Sequence, residues 1–268
     1  MLIHNIPIIN YHKISTSYDI GITTRHPEQF ENDLKILKQH NFKSVTFKDL
    51  LNKAIPENPV IITFDDAYES IINTAMPLML KYGFKAVIYA ITGFIGQYND
   101  WDVQAGVFKF KHLNLQQLRE LQDVGFEIGS HTLSHQLLTW MHPDDQLFEL
   151  SESKKQLDDQ LGDETCSVSY PFGRFNETSI RYAAEIGYKF GVASIYLRPI
   201  EINLQKFALK RFNIYRFDSI DQLKKKLFLK QNSSIVWRDW LIQKGGLGTA
   251  TLQMFKKKFH NNGRGATI

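Results

Sequence analysis

Val60-Ile61-Ile62-Thr63-Phe64-Asp65-Asp66 is an apolar, strand-like run that ends on two adjacent carboxylates. A second run, Phe126 to Ser130, ends on His131-Thr132-Leu133-Ser134-His135. Each cluster has a plain reading when taken alone. An Asp-Asp pair after a strand also suits a turn or a helix N-cap, and imidazoles four residues apart often satisfy their nitrogens within the protein. Their joint placement directly after strand-like runs is more specific, because loops at strand C-termini are where (β/α) barrels carry their catalytic groups. A divalent first-row metal favours imidazole and carboxylate ligands, and a catalytic site keeps one position open. Asp66, His131 and His135 are therefore candidate metal ligands. Asp65 is the candidate base for a metal-activated water that attacks a carbonyl.

The rest of the chain keeps a rhythm of strand-like runs and helical patterns, as expected for a mainly parallel α/β fold. Pro27 suits a first helical turn, and Phe30, Leu34 and Leu37 then share one face. A short strand is expected near Ser44 to Phe47, a helix from the aspartates to about Tyr82 before Gly83, and a strand over Ala86 to Ile91. The long loop through Trp101 and Phe110 admits sugar stacking or packing against the barrel. Asn114 reads as the cap of a helix bearing Leu115, Leu118 and Leu121, closed by Gly125.

Thr63-Phe64-Asp65-Asp66, His131-Thr132-Leu133-Ser134-His135 and Tyr170-Pro171-Phe172-Gly173 occur in this order. They resemble the first three motifs of the polysaccharide deacetylases, the NodB homology group of carbohydrate esterase family 4. The resemblance spans about residues 5 to 215. It implies a distorted (β/α) barrel, expected to have seven strands, and metal-dependent removal of an N-acetyl or related acyl group from an amino sugar. It implies further that Asp65 is the general base, that Asp66, His131 and His135 hold the metal, and that Phe172 offers its backbone N–H to the oxyanion. Zinc is the expected ion, although this ligand set also accommodates iron, cobalt or nickel. The third motif supports its role independently, since Pro171 and Gly173 make a sharp turn that can aim an N–H inward.

Two positions depart from the pattern. Ser169 stands where many relatives carry an arginine that steadies the catalytic aspartate. Arg174 and Arg211 are the candidate replacements. Arg211 is preferred, because a charge within the apolar stretch Leu209 to Ile214 needs a partner. A late Leu-x-His segment, the usual source of the general acid, is absent, and His260 lies in an unrelated basic context. Tyr11-His12-Lys13-Ile14 instead resembles the opening of the poly-N-acetylglucosamine deacetylase branch. His12, with a pKa expected near neutrality, is the candidate acid for the leaving amine.

A length of 268 residues and 43% hydrophobic content suit one large core. The lone Cys166 precludes an internal disulfide and reads as a buried thiol. Residues 1–215 are expected to form the catalytic domain. Residues 216–268 form a basic extension, expected to be helical and packed on or attached to the barrel. The extension carries eleven Lys/Arg against three Asp/Glu, so the chain's excess positive charge is local to it. Its lysines, leucines and tryptophans suit either a solvated helix face or peripheral contact with anionic membrane. Nothing resembles a nucleic-acid-binding motif. The N-terminus lacks secretory signal features, so the expected location is cytoplasmic, with contact at the inner membrane through the basic extension. The expected substrate is an N-acylated amino sugar, soluble or lipid-linked. The alternative is a carbohydrate-binding barrel that has lost catalysis, which the intact ligand and base positions disfavour.

Overall fold

The computed structural model describes residues 3–17, 22–99, 109–194, 200–229, 237–242 and 251. Its strands are β1 (Ile8–Tyr11), β2 (Lys13–Ile14), β3 (Thr24–Arg25), β4 (Lys43–Ser44), β5 (Pro59–Phe64), β6 (Val87–Ala90), β7 (Glu127–Ser130), β8 (Ser167–Ser169), β9 (Phe190–Ala193), β10 (Leu209–Lys210) and β11 (Phe212–Asn213). The helices are α1 (Pro27–Gln39), α2 (Phe47–Leu51), α3 (Met76–Tyr82), α4 (Leu115–Asp123), α5 (Pro143–Leu161), α6 (Glu177–Ile186) and α7 (Ile220–Leu227).

The main sheet runs β10-β9-β8-β7-β6-β5-β1-β11, with β4 added on β5, and every pairing is parallel. This path has eight strands rather than the expected seven, for a local reason. β10 and β11 are the two halves of one stretch, 209–213, parted only by Arg211. The first half pairs with β9 and the second with β1. Arg211 N–H donates to the Ala193 carbonyl, and Ile214 N–H then donates to the Asn10 carbonyl. One stretch that changes partners at Arg211 thus closes the distorted barrel.

Alternation along the strands divides the core, as a period of two requires. Ile8, Ile61, Val87, Tyr89, Val192 and Leu209 pack inside the barrel. Ile9, Ile62 and Ile88 pack outward with Phe30, Leu34 and Leu37 of α1 and Leu118 and Leu121 of α4. Full burial of each such side chain contributes about 1.5–3 kcal/mol. The interior is tight at Gly129, where an added Cβ would stand 2.5 Å from the Tyr89 ring.

Pro27 opens α1 and Asn114 caps α4, as expected, and both N-cap residues, His26 and Asn114, make a reciprocal cap with a glutamine, Gln29 for α1 and Gln117 for α4. Other local expectations need correction. The strand expected near Ser44 to Phe47 is Lys43–Ser44 instead, because Thr46 caps α2 and Phe47 begins that helix. The helix after the aspartates begins with a wide turn, Ile71–Ala75, where Met76 N–H reaches back to the Ile71 carbonyl. It becomes α-helical at Met76 and ends at left-handed Gly83. Trp101 lies outside the described residues, while Phe110 packs edge-on to Tyr68.

α7 is built into the barrel wall. Leu223 and Leu227 join the outer core. Lys226, one of the lysines of the basic extension, is fully buried. Its Nζ donates to Asp218 Oδ2 and to the Asn213 carbonyl, both at 2.6 Å, and lies 3.5 Å from Asp239. Arg25 secures the same region through the carbonyls of Tyr215 and Asp218 while forking onto Asp33.

Candidate active site

Strand register brings the candidate residues to one end of the barrel. Tyr11 pairs with Phe64, and Asp65 N–H donates to the Tyr11 carbonyl, so His12 and Asp65 leave adjacent strands side by side. β7 delivers His131 in the same way, and His131 N–H donates to the Ala90 carbonyl at the end of β6. Nine non-glycine residues have positive φ among the described residues, and five of them lie in the three motif loops: Asp66, Ala67, Thr132, His135 and Phe172. Such backbone is costly and concentrates where function requires a particular side-chain direction.

Asp66 Oδ1 lies 3.5 Å from His131 Nε2 and 3.6 Å from His135 Nε2, and the three donor atoms lie within 4.8 Å of one another. Metal–ligand bonds of about 2.0–2.2 Å in tetrahedral geometry separate ligand atoms by about 3.3–3.6 Å. The donor set therefore fits a single divalent ion. The Nδ1 of His131 lies 2.7 Å from the Ser169 carbonyl. A carbonyl only accepts, so the proton sits on Nδ1 and Nε2 keeps its lone pair for a metal. Burial lowers the pKa of both histidines and keeps them in the neutral, ligating form.

Asp65 is held from several sides. Arg211 forks onto it, Nη1 to Oδ1 at 2.8 Å and Nη2 to Oδ2 at 2.5 Å. Arg211, not Arg174, is thus the partner of the aspartate. Ser169 fills the position of the missing motif arginine with a hydroxyl that donates to Asp65 Oδ1 at 3.1 Å and accepts from Arg211 at 2.7 Å. Asn10, fully buried, donates to Asp65 Oδ2 and to Asn213 Oδ1, and accepts from Thr63 and Arg211. Burial opposes a charge on Asp65, but the Arg211 guanidinium overrides it and holds the carboxyl well below its usual range.

His12 Nε2 and His131 Nε2 each lie 3.9 Å from Asp65 Oδ2. The expectation that His12 titrates near neutrality needs correction. Burial, only partly offset by Asp65, lowers its pKa to about 4. It is therefore a neutral imidazole at rest. In metal-free protein its ring resonances are expected to shift with a midpoint near 4, and an NMR midpoint near the ordinary histidine value of about 6.5 would overturn this.

Phe172 stands left-handed at φ 58° within the Pro171–Gly173 turn, and its ring lies 5.0 Å from that of His135. Gly173 follows at φ +62°, where an added Cβ would collide with Ser194. Cys166 is buried against Glu127, which with burial pushes its thiol pKa up, so it is an inert thiol.

The sequence reading missed Asn10, although its polarity inside the run Ile6 to Tyr11 was a usable signal. It also missed His112, which nothing in the linear sequence marks. Buried and stacked on Tyr68, His112 lies with Nδ1 2.5 Å from the Asp66 carbonyl.

The family model for polysaccharide deacetylases matches residues 52–191, more than half of the chain. The chain belongs to the polysaccharide deacetylase family. The matched span holds Asp65, Asp66, His131, His135 and Phe172, whereas Asn10, His12 and Arg211 lie outside it. Among the relatives is YxkH of Bacillus subtilis, named as a polysaccharide deacetylase and 32% identical over 194 residues, 70% of this chain and 64% of that protein. The chain thus spans somewhat less than two thirds of YxkH. The poly-β-1,6-N-acetyl-D-glucosamine N-deacetylase of Staphylococcus aureus is 27% identical over 233 residues, 77% of each chain. The deacetylase PplD of Streptococcus pyogenes, solved in complex with acetate, superposes with a TM-score of 0.69 at 29% identity over 83% of this chain and 97% of that one. IcaB of Ammonifex degensii shares the fold, with a TM-score of 0.66 at 20% identity over 85% of this chain and 97% of that one.

Proposed function

We propose that this polysaccharide deacetylase hydrolyses the N-acetyl group of an amino sugar within a saccharide, using Asp65 as base beside a divalent ion held by Asp66, His131 and His135. The observation that carries this reading is the Asp65 carboxylate itself. It is ionised and fixed by Arg211, and it lies beside a donor set spaced for one metal. A bound zinc ion would lower the pKa of a water molecule and polarise the amide carbonyl.

The residues of the chain divide the remaining work. Asp65 takes the proton of the attacking water, whose oxygen becomes part of the released acetate. The Phe172 N–H faces the oxygen that gains negative charge. The C–N bond then breaks, and the proton must reach the amine nitrogen. His12, neutral at rest and 3.9 Å from Asp65, accepts that proton and passes it to the leaving group.

Acetate release from N-acetylglucosamine oligomers tests the reading. Chelation is expected to abolish release, with recovery on adding zinc or cobalt. Full turnover after verified metal removal would sink it. His12→Ala is expected to lower turnover by about 10²- to 10⁴-fold with zinc affinity unchanged. Wild-type turnover would remove His12 from the proton path.

The reading extends to lipid-linked saccharides presented at an anionic membrane. Phe217, Lys225 and Trp237 are exposed, which supports peripheral contact. No helix among the described residues is long and apolar enough to cross a membrane. Co-sedimentation with anionic but not neutral vesicles is the expected result, and equal recovery with both would remove the membrane component.

A further inference from the structure

The turn that carries Asp66 is held in place by a segment distant in sequence. Asp66 and Ala67 stand at φ 67° and 50°, a conformation that side-chain-bearing residues seldom adopt. Residues 111–113 lie antiparallel across this turn. Leu113 N–H donates to the Ala67 carbonyl at 2.7 Å, Glu69 N–H donates to the Lys111 carbonyl at 2.9 Å, and Tyr68 bridges to His112. The His112 ring, buried and stacked on Tyr68 with centroids 4.8 Å apart, brings Nδ1 to 2.5 Å from the Asp66 carbonyl oxygen. A carbonyl can only accept, so His112 Nδ1 carries the proton. Burial lowers the His112 pKa to about 4, which leaves a neutral ring with a single N–H.

We propose that His112 is a positioning residue for the metal ligand Asp66: by donating Nδ1–H to the Asp66 carbonyl, it fixes the left-handed turn from which the carboxylate faces His131 and His135. The proposal rests on the reading that these three residues hold a divalent ion. It adds a second instance of a device present at His131, whose Nδ1 is likewise engaged by a backbone carbonyl. At His131 the bond orients a ligand's own ring. At His112 a residue that is not a ligand orients a ligand's backbone. Metal affinity depends steeply on such support, because a ligand atom displaced by a few tenths of an ångström no longer meets the others around one ion.

Zinc affinity, measured on metal-free protein by competition with a chromogenic chelator, tests this. His112→Phe keeps a ring to stack on Tyr68 and lacks the donor. His112→Asn places an amide N–H near the position of Nδ1. His112→Phe is expected to bind zinc about 10- to 100-fold more weakly than wild type, with His112→Asn recovering most of the loss and circular dichroism unchanged in both. Wild-type affinity in His112→Phe would overturn the proposal. So would His112→Asn binding as weakly as His112→Phe, since the ring and not its proton would then be what matters. If His112→Phe does not fold, His112→Gln takes its place, with weakened binding expected and wild-type affinity again overturning the proposal. Equal zinc affinity in wild type and Asp66→Ala would show instead that the metal reading itself is wrong.

Discussion

Asp65→Asn is expected to lower turnover on N-acetylated saccharides by about 10²- to 10⁴-fold, while zinc still binds stoichiometrically. The two adjacent aspartates have different surroundings in this geometry. Asp66 faces the imidazoles at 3.5 and 3.6 Å, whereas Asp65 is turned toward Arg211, Ser169 and Asn10. An amide at position 65 cannot accept a proton from water, so the loss falls on the chemical step and kcat. The substitution also leaves the buried Arg211 cation without its counter-charge, so the variant is also expected to be less stable. Kinetics with a parallel zinc measurement separate the two effects. Near-wild-type turnover would remove Asp65 as base, and loss of zinc would mean that the two aspartates do not divide their tasks as the geometry indicates.

Arg211→Met is expected to cost about 3–5 kcal/mol of stability, because it strands a buried carboxylate. For a protein of this size the melting temperature should fall by on the order of 10 °C. Arg211→Lys is expected to recover only part of the loss, since an ammonium cannot reproduce the two-pronged contact to Oδ1 and Oδ2. The pH dependence follows from the direction of the Asp65 shift. Its folded pKa is depressed, so its contribution is present above the unfolded value of about 3.9 and is lost as pH falls through the folded one. Without Arg211, burial raises the same pKa instead. The stability gap between wild type and Arg211→Met should therefore be widest near neutral pH and narrow on acidification. Thermal melts of metal-free protein from pH 7 to pH 4 measure this. A gap that is constant across the range would show that Arg211 acts through packing and not through charge.

Turnover should fall in Arg211→Met as well, because the seam of the barrel and the orientation of Asp65, the proposed base, depend on one residue. Arg211 is where the closing stretch changes partner from β9 to β1, and its side chain points from that break to Asp65. Closure of the fold and placement of the Asp65 carboxylate are coupled at this position.

The chemistry-bearing residues were legible because their signals are local. An apolar run ending in Asp65-Asp66 and another ending in His131 each combine a strand with the loop that follows it, within a few residues of chain. The Pro171-Phe172-Gly173 turn is legible for the same reason, since proline and glycine constrain backbone where they stand. A charge placed among the strand-like residues of the Leu209 to Ile214 stretch announced that Arg211 needed a partner, but composition alone could not name it. Local signals failed where competing local structure intervened, as when the Thr46 cap made a helix start at Phe47.

The sequence by itself determined the strand-and-loop pattern, the three metal-ligand candidates and the neighbouring candidate base, because each depends on residue type and short spacing. The tertiary structure decided that Arg211 and not Arg174 holds Asp65, that Ser169 and Asn10 complete that hold, that Lys226 lies in the core, and that His12 is neutral at rest. Each of these depends on burial and on partners up to two hundred residues away along the chain, as between Asn10 and Arg211. The energy of a buried charge or a buried imidazole is set by what packs around it, and the packing exists only once the barrel has closed.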